Sequence, residues 1–313
     1  MIRFIIRRLL VTVILAFVVV TVVFLLLRLI PGDPAVAALG ENATEDQLAV
    51  ARQRMGLNDN IVVQYANWWG KIARFDMGDS LIDGRPVGDE IVRRLPRTFE
   101  LIIAAALLAL VVGLPAGLFA ATRRNKLGDG IVTGFALVSL SAPLFVTGSL
   151  FVLLFGVLLK WLPTGYADPS ENMGKHLLSL IMPVAALSLL LSASLIRQTR
   201  ANMLEVLGQD YVRTARSKGL AQPVILRRHV LKNGLIPVAA SFGIQLAALL
   251  GGTVVTEAIF NWPGISSLLV TAISRRDYTT IQGLILVIAL IVLIINFLTE
   301  LVYAYLNPRI RYQ

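Results

Sequence analysis

The chain has 313 residues, 56% hydrophobic and 15% charged, with a formal net charge of +10 and no cysteine. A soluble domain could not bury so much apolar surface, so the composition points to a polytopic membrane protein whose positive balance comes from basic cytosolic loops, not from nucleic-acid binding. Without cysteine there is no disulfide or thiolate chemistry, and His176 and His229 alone make no multi-histidine metal site, so neither a metal nor a cofactor is expected in this chain.

Arg3, Arg7 and Arg8 open the chain, and an apolar run follows from Leu9 to Leu27. With Ala35-Val36-Ala37 behind it, this start imitates a signal peptide. The run is longer than a signal core (about 7–15 residues), however, and suits a full span of about 20. Residues 1–30 are therefore read as a tail and a retained first transmembrane helix, with Arg28 at its outer end reaching toward headgroups.

Residues 31–97 form the longest polar segment, with acids and bases nearly balanced. It reads as a small folded extracytoplasmic excursion, not a second large domain. Thr44 followed by Glu45, Asp46 and Gln47 has the form of a capped helix start. Trp68 and Trp69 suit the membrane interface.

Residues 98–313 carry five further spans: about Phe99–Ala121, Ile131–Leu159, Leu177–Ile196, Leu235–Ala258 and Ile281–Leu306. The period is helical throughout, so the expected fold is all-α and integral to the membrane, with six transmembrane helices. Pro143 and Pro183 are expected to kink the third and fourth spans, with Ser139 and Ser141 repairing the freed carbonyls. Gly243, Gly251 and Gly252 permit close helix contact on the fifth. His176 and His229 fall in separate loops, and the segment Phe260–Thr280 reads as a loop. Lys and Arg concentrate on the short segments at the termini, at 122–130 and between spans four and five. That bias puts both termini on the cytosolic side.

Between spans four and five, at about 198–235, lies a polar elbow of two short helices. The first covers about Met203–Lys218 and ends at Gly219, which can take the left-handed conformation of a helix C-cap. Pro223 opens the second, where a missing N–H costs nothing. It runs to about Asn233, before Gly234 and Pro237 break the pattern. Tyr211, Arg213, Ala215, Arg216, Lys218, Leu220, Arg227, Arg228 and His229 all lie on this elbow. It offers mixed apolar and cationic surface to something in the cytosol. The plainer alternative is a patch for anionic lipid headgroups.

No phosphate loop of the form G-x-x-x-x-G-K-[ST] and no H-E-x-x-H is present. No Ser-His or Cys-His hydrolase can be assembled, so the chain is not read as an enzyme. Ser139, Ser141, Gln245, Thr253, Glu257 and Trp262 are the candidate pathway or gate residues. Each has a plainer reading: Glu257 near the end of its span can snorkel to water, and Asn261-Trp262-Pro263-Gly264 can be a membrane-anchored turn with an interfacial tryptophan.

The core Ala215-Arg216-Ser217-Lys218-Gly219, within DYVRTARSKGL and RRHVLKNGLIP, resembles the coupling loop of permease subunits from binding-protein-dependent ABC importers. The branch is that of dipeptide, oligopeptide, glutathione and nickel importers. PGDP at 31–34, MGL at 55–57, FDMGDS at 75–80, TEAIFNWPG at 256–264, RRDY at 275–278 and NPRIRY at 307–312 extend the resemblance over almost the whole chain, in the family's order. Each motif is weak alone, and the set at these spacings is specific. Two departures fall in the loop itself: Arg213 and Thr214 occupy the first two places of its usual Glu-Ala-Ala opening, and Lys232 stands where a proline is usual.

The resemblance implies a type I ABC importer permease, with the elbow as the ATPase-coupling loop. It implies a second homologous permease, two ABC ATPase subunits that bind ATP and Mg, and an extracytoplasmic solute-binding protein. It places the chain in the bacterial inner (plasma) membrane, surrounded by lipid, with dipeptides, oligopeptides or a related small solute as cargo. The alternative is a stand-alone secondary transporter or channel. That would need a relay of intramembrane ionisable residues, which the span interiors lack.

Overall fold

The computed structural model describes residues 2–29, 33–40 and 42–306. Pro31, Gly32 and the NPRIRYQ terminus at 307–313 lie outside them. Five described helices are long and apolar enough to cross a membrane, and a bent pair makes a sixth when counted as one span. The helices are α1 (Ile2–Leu29), α2 (Pro34–Leu39), α3 (Glu45–Arg54), α4 (Ile61–Ile72), α5 (Val87–Thr122), α6 (Leu127–Ser141) and α7 (Leu144–Phe151). Then come α8 (Met173–Leu207), α9 (Asp210–Ser217), α10 (Gln222–Ile225), α11 (Lys232–Ile259), α12 (Ile265–Ser274) and α13 (Tyr278–Leu306). The chain divides into two compact units, to both of which α1, α5 and α13 contribute.

In the first unit, within Met1–Arg8, Phe99–Trp262 and Ile294–Gln313, α8 is the central helix. It is buried along most of its length by residues such as Met182, Leu187, Leu191, Leu195 and Met203, and it packs on α11 and α6. Pro183 sits inside α8 without ending it, as membrane helices allow. Against α5, α8 comes very close. A Cβ on Gly113 would lie 2.8 Å from Leu195 Cβ, and one on Gly117 would lie 2.6 Å from Thr199 Cβ and 2.8 Å from the Ile196 carbonyl. Gly113 and Gly117 are four apart and so share a helix face, the small-xxx-small spacing that lets two backbones touch.

Instead of the kink expected at Pro143, the third span breaks. Helix α6 and the stretch Leu144–Leu158, α7 with a π-helical continuation, meet at 101°. Ala142 is extended there (φ −83°, ψ 120°), because a following proline excludes the helical region for the residue before it. Ser139 and Ser141 do not repair the carbonyl that Pro143 leaves open. They donate to Phe135 and Leu137 carbonyls at 2.8 and 2.9 Å, a turn earlier.

The second unit, Leu9–Thr98 with Pro263–Leu293, contains most of the polar excursion. The helix start at Thr44 is capped as the sequence indicates. Thr44 Oγ1 accepts the Gln47 N–H at 3.4 Å, and Gln47 Oε1 accepts the Thr44 N–H at 3.0 Å, a reciprocal capping box. Asp33 caps α2 through the Ala35 N–H at 2.9 Å and accepts Arg52 Nε at 2.7 Å, joining α2 to α3. Asp277 receives the Ser80 hydroxyl at 2.6 Å, the Leu81 N–H at 3.1 Å and the Thr280 hydroxyl at 2.7 Å. It thereby anchors the 76–86 loop to the start of α13. The segment read as a loop at 260–280 contains the apolar helix α12, and the Ile265 N–H at its start donates to Thr98 Oγ1 at 2.9 Å. Arg28 turns back onto protein groups: it covers the Phe24 ring at 3.5 Å and donates to Gln64 at 2.8 Å.

Candidate functional site

The elbow lies between α8 and α11 and is built from local geometry upward. Helix α8 ends at Leu207, and Gln209 is extended (φ −72°, ψ 148°), so the expected single helix Met203–Lys218 is two helices with a corner at 208–209. After α9, Gly219 takes φ +75°, the left-handed cap conformation that favours glycine. Pro223 lies in the first turn of α10. From Gln222 the helix then runs unbroken to Ile259, through a π-helical stretch at Leu226–Leu231. The break expected at Gly234 and Pro237 is absent. A proline within a membrane helix frees only one carbonyl, and Gly234 lets α11 press on α8: a Cβ there would lie 2.8 Å from Met203 Sδ.

One side of the elbow is core. Val212, Ala215, Ile225 and Val230 are buried with Met203 of α8 and Ala121 of α5. Ala215 therefore faces inward and props the elbow against the spans. Asn233 Nδ2 donates to Tyr211 Oη at 3.0 Å and to the His229 carbonyl at 3.2 Å, pinning α9 to the start of α11. The other side is cationic. Arg213, Arg216, Lys218, Arg227 and Arg228 are exposed, as are Tyr211 and Leu220. Arg213 approaches Asp210 at 3.7 Å, a solvated pair of little energetic weight. The elbow presents cations on one side and apolar core on the other. It is a basic handle braced on three spans.

The pathway candidates fall in two groups. Ser139 and Ser141 bond within α6, as described; on α11, Gln245 Nε2 donates to the Ser241 carbonyl at 3.2 Å and Thr253 Oγ1 to the Leu250 carbonyl at 2.7 Å. Gln245 also leaves its Oε1 buried without a partner. Glu257 and Trp262 come together, with the Trp262 N–H donating to the Glu257 carbonyl at 2.8 Å. Both side chains are buried. Glu257 thus does not snorkel, and Trp262 is not an exposed interfacial residue. The Trp262 ring is edge-on to Tyr166 at 4.8 Å and lies 5.7 Å from His176. His176 is not in a loop but in the first turn of α8, where its Nε2 meets Glu100 Oε1 and its Nδ1 meets the Ala167 carbonyl, each at 2.7 Å.

Sequence reasoning missed a second polar junction in this unit. Asp129, in the first turn of α6, is buried and paired with Arg200 of α8. The signal was present in the sequence: an aspartate opening an apolar helix and an arginine near the end of another are both costly in a membrane unless they meet. Among the described residues no group of three or more His, Cys, Asp and Glu could hold a metal ion.

Long apolar helices joined by a basic helical elbow have the fold of a type I ABC importer permease. Solved structures share it. The methionine ABC transporter MetNI in inward-facing conformations superposes with a TM-score of 0.59, at 16% identity, covering 70% of this chain and 96% of that one. A second crystal form of the same transporter gives 0.57 over 69% and 96%.

The chain belongs to the family of binding-protein-dependent transport system inner membrane components, which it matches over residues 113–312, with that family's N-terminal component over 1–102. It is 40% identical to a di/tripeptide transport system permease protein of Pseudomonas aeruginosa over the whole of both chains. It is 39% identical to a probable peptide ABC transporter permease of Sinorhizobium fredii over 99% of each. To a glutathione transport system permease of Escherichia coli it is 37% identical over both full lengths.

Proposed function

We propose that this chain is one of two homologous permease subunits of an ATP-driven importer whose cargo is a di- or oligopeptide or a related small solute. Supporting the cargo class, its relatives carry names of peptide, di/tripeptide and glutathione transport. In this reading the elbow faces the cytosol together with both termini. Two ABC ATPase subunits, which bind ATP and Mg, dock on the elbows of the two permeases. A solute-binding protein delivers cargo on the opposite face, where residues 31–97 contribute to its docking surface.

The carrying observation is the elbow's two-sided construction. Val212, Ala215, Ile225 and Val230 fix it to α5 and α8, while Arg213, Arg216, Lys218, Arg227 and Arg228 are exposed. A docked motor that displaces the cationic side moves α8 and α11 with it, because the apolar side does not slip against a packed core. Such movement would expose the pathway alternately to the two faces, with Glu257 and Trp262 as a gate and Ser139, Ser141, Gln245 and Thr253 along the lining.

Gly219→Pro tests this in the assembled transporter. The variant should remain in the membrane while ATP-dependent uptake falls and hydrolysis continues. Uptake that persists with every ATPase subunit removed overturns the reading. Ligand retained by the purified external partner identifies the cargo.

A further inference from the structure

Helix α4 belongs by sequence to the polar excursion, yet it lies alongside the apolar span of α1, Ile5–Leu26. Four contacts fix an antiparallel register. Arg28 meets Gln64 at 2.8 Å, Phe24 meets Trp68 at 5.5 Å between ring centroids, Thr21 and Tyr65 share a hydroxyl hydrogen bond at 2.7 Å, and Phe17 stacks on Trp69 at 5.2 Å and 21°. Phe17 is nine residues before Leu26, so the Trp69 indole sits about 14 Å along α1 from the end of its apolar run. If α1 crosses the bilayer, that depth is hydrocarbon.

The surface of α4 agrees. Val62 is 69% exposed, and Ile61 and Val63 are exposed beside it. Trp69 Nε1 is buried without a hydrogen-bond partner. Phe75, just past the helix, is 90% exposed and held at φ 58°, a rare conformation for a bulky residue. In water these side chains would gain nothing from their positions. The polar residues of this stretch lie elsewhere: Gln64, Asn67, Lys71 and Arg74 line a cavity of about 670 Å³ with Asp59 and Asp76. Polar groups at membrane depth are tolerated where they line a water-filled space.

We propose that α4 is embedded in the bilayer beside α1, with lipid covering its Ile61–Val63 face and Phe75, and its polar face walling a water-filled vestibule. The inference goes beyond the importer reading and needs only that α1 spans the membrane.

The chain has no cysteine, so single-cysteine probes report without background. Val62→Cys, Val63→Cys and Phe75→Cys in the full chain, reconstituted in phosphatidylcholine nanodiscs, are labelled with an environment-sensitive fluorophore, with Asn58→Cys as the aqueous reference. The three test positions should react several-fold more slowly with a membrane-impermeant maleimide than position 58. Their emission should be quenched by lipids carrying a nitroxide on the acyl chain and not by iodide. Reaction as fast as at position 58, with iodide quenching, places α4 in water and overturns the proposal. Protection from both quenchers shows protein, such as a second copy, covering the face, and overturns it equally. Agreement among the three positions separates a true placement from local disturbance by any one substitution.

Discussion

Arg200 holds Asp129 in a two-pronged grip, Nε to Oδ1 at 2.6 Å and Nη2 to Oδ2 at 2.8 Å. The Asn125 N–H and the Thr133 hydroxyl satisfy the same carboxylate at 3.0 and 3.2 Å. A fork of this kind matches guanidinium to carboxylate in both geometry and charge. It joins the first turn of α6 to α8 immediately above the elbow, on the same helix that carries the motion in the proposed transport cycle.

Removing one partner leaves the other buried and uncompensated. Arg200→Met should cost about 3 kcal/mol, read as a fall in the thermal unfolding temperature of the detergent-solubilised chain. The double variant Asp129→Leu with Arg200→Met should recover most of that loss, since neither charge is then stranded. An unchanged transition in Arg200→Met would show the grip to be idle.

The α5–α8 contact predicts a contrast between two glycines. Gly117→Ala should destabilise the chain by about 1–3 kcal/mol, because the new methyl meets the Ile196 carbonyl, which cannot rotate away. For the same reason Thr199→Ala should not rescue it. Gly251→Ala meets nothing within 4 Å and should be neutral or slightly stabilising, since alanine is the better helix former. Thermal unfolding of the three variants side by side checks this.

At the elbow, Gly219 has open space around it, so only its φ of +75° restricts substitution. Gly219→Ala should cost about 1–2 kcal/mol in the left-handed region, and Gly219→Asn distinctly less. Uptake should follow the same order, Gly over Asn over Ala, while membrane content stays level. Equal uptake in all three would detach the turn from the transport step.

Acid should loosen the α2–α3 junction. Burial alone pushes the Asp33 carboxyl upward, but the Ala35 N–H and the Arg52 guanidinium outweigh it and hold the group below its ordinary range. A carboxylate lowered in the folded state binds protons more readily when unfolded, so its stabilisation is complete above about pH 4 and is lost as pH falls through the lower native value. The protection of residues 34–54 from hydrogen exchange, taken relative to the intrinsic amide rate at each pH, should therefore fall between mildly and strongly acidic pH, and Arg52→Met should weaken that dependence.

Local chemistry explains which features the sequence disclosed. The Thr44–Gln47 capping box and the left-handed turn at Gly219 depend on residues a few positions apart, so their signatures survive without a fold. What escaped depends on distant partners or on competing backbone rules. Asp129 and Arg200 read as isolated charges until α6 and α8 are packed. His176 and Trp262 read as loop and interface residues until the Tyr166 and Glu100 contacts enclose them. Pro143 and Pro237 carry the same local warning, yet one breaks its helix to a near right angle and the other is absorbed. Ala142 goes extended before the first, whereas α11 stays pressed against α8 at Gly234 before the second.

The π-helical stretch Leu226–Leu231 has a consequence for numbering along the chain. Wider turns hold surplus length, so a single residue could be deleted there and the rod would close into ordinary α geometry without snapping. The i→i+5 turn would become an i→i+4 turn, and the helix on either side would keep nearly its present phase. Length can therefore change by one residue at this point without re-aiming α10 or shifting the face that α11 packs on α8.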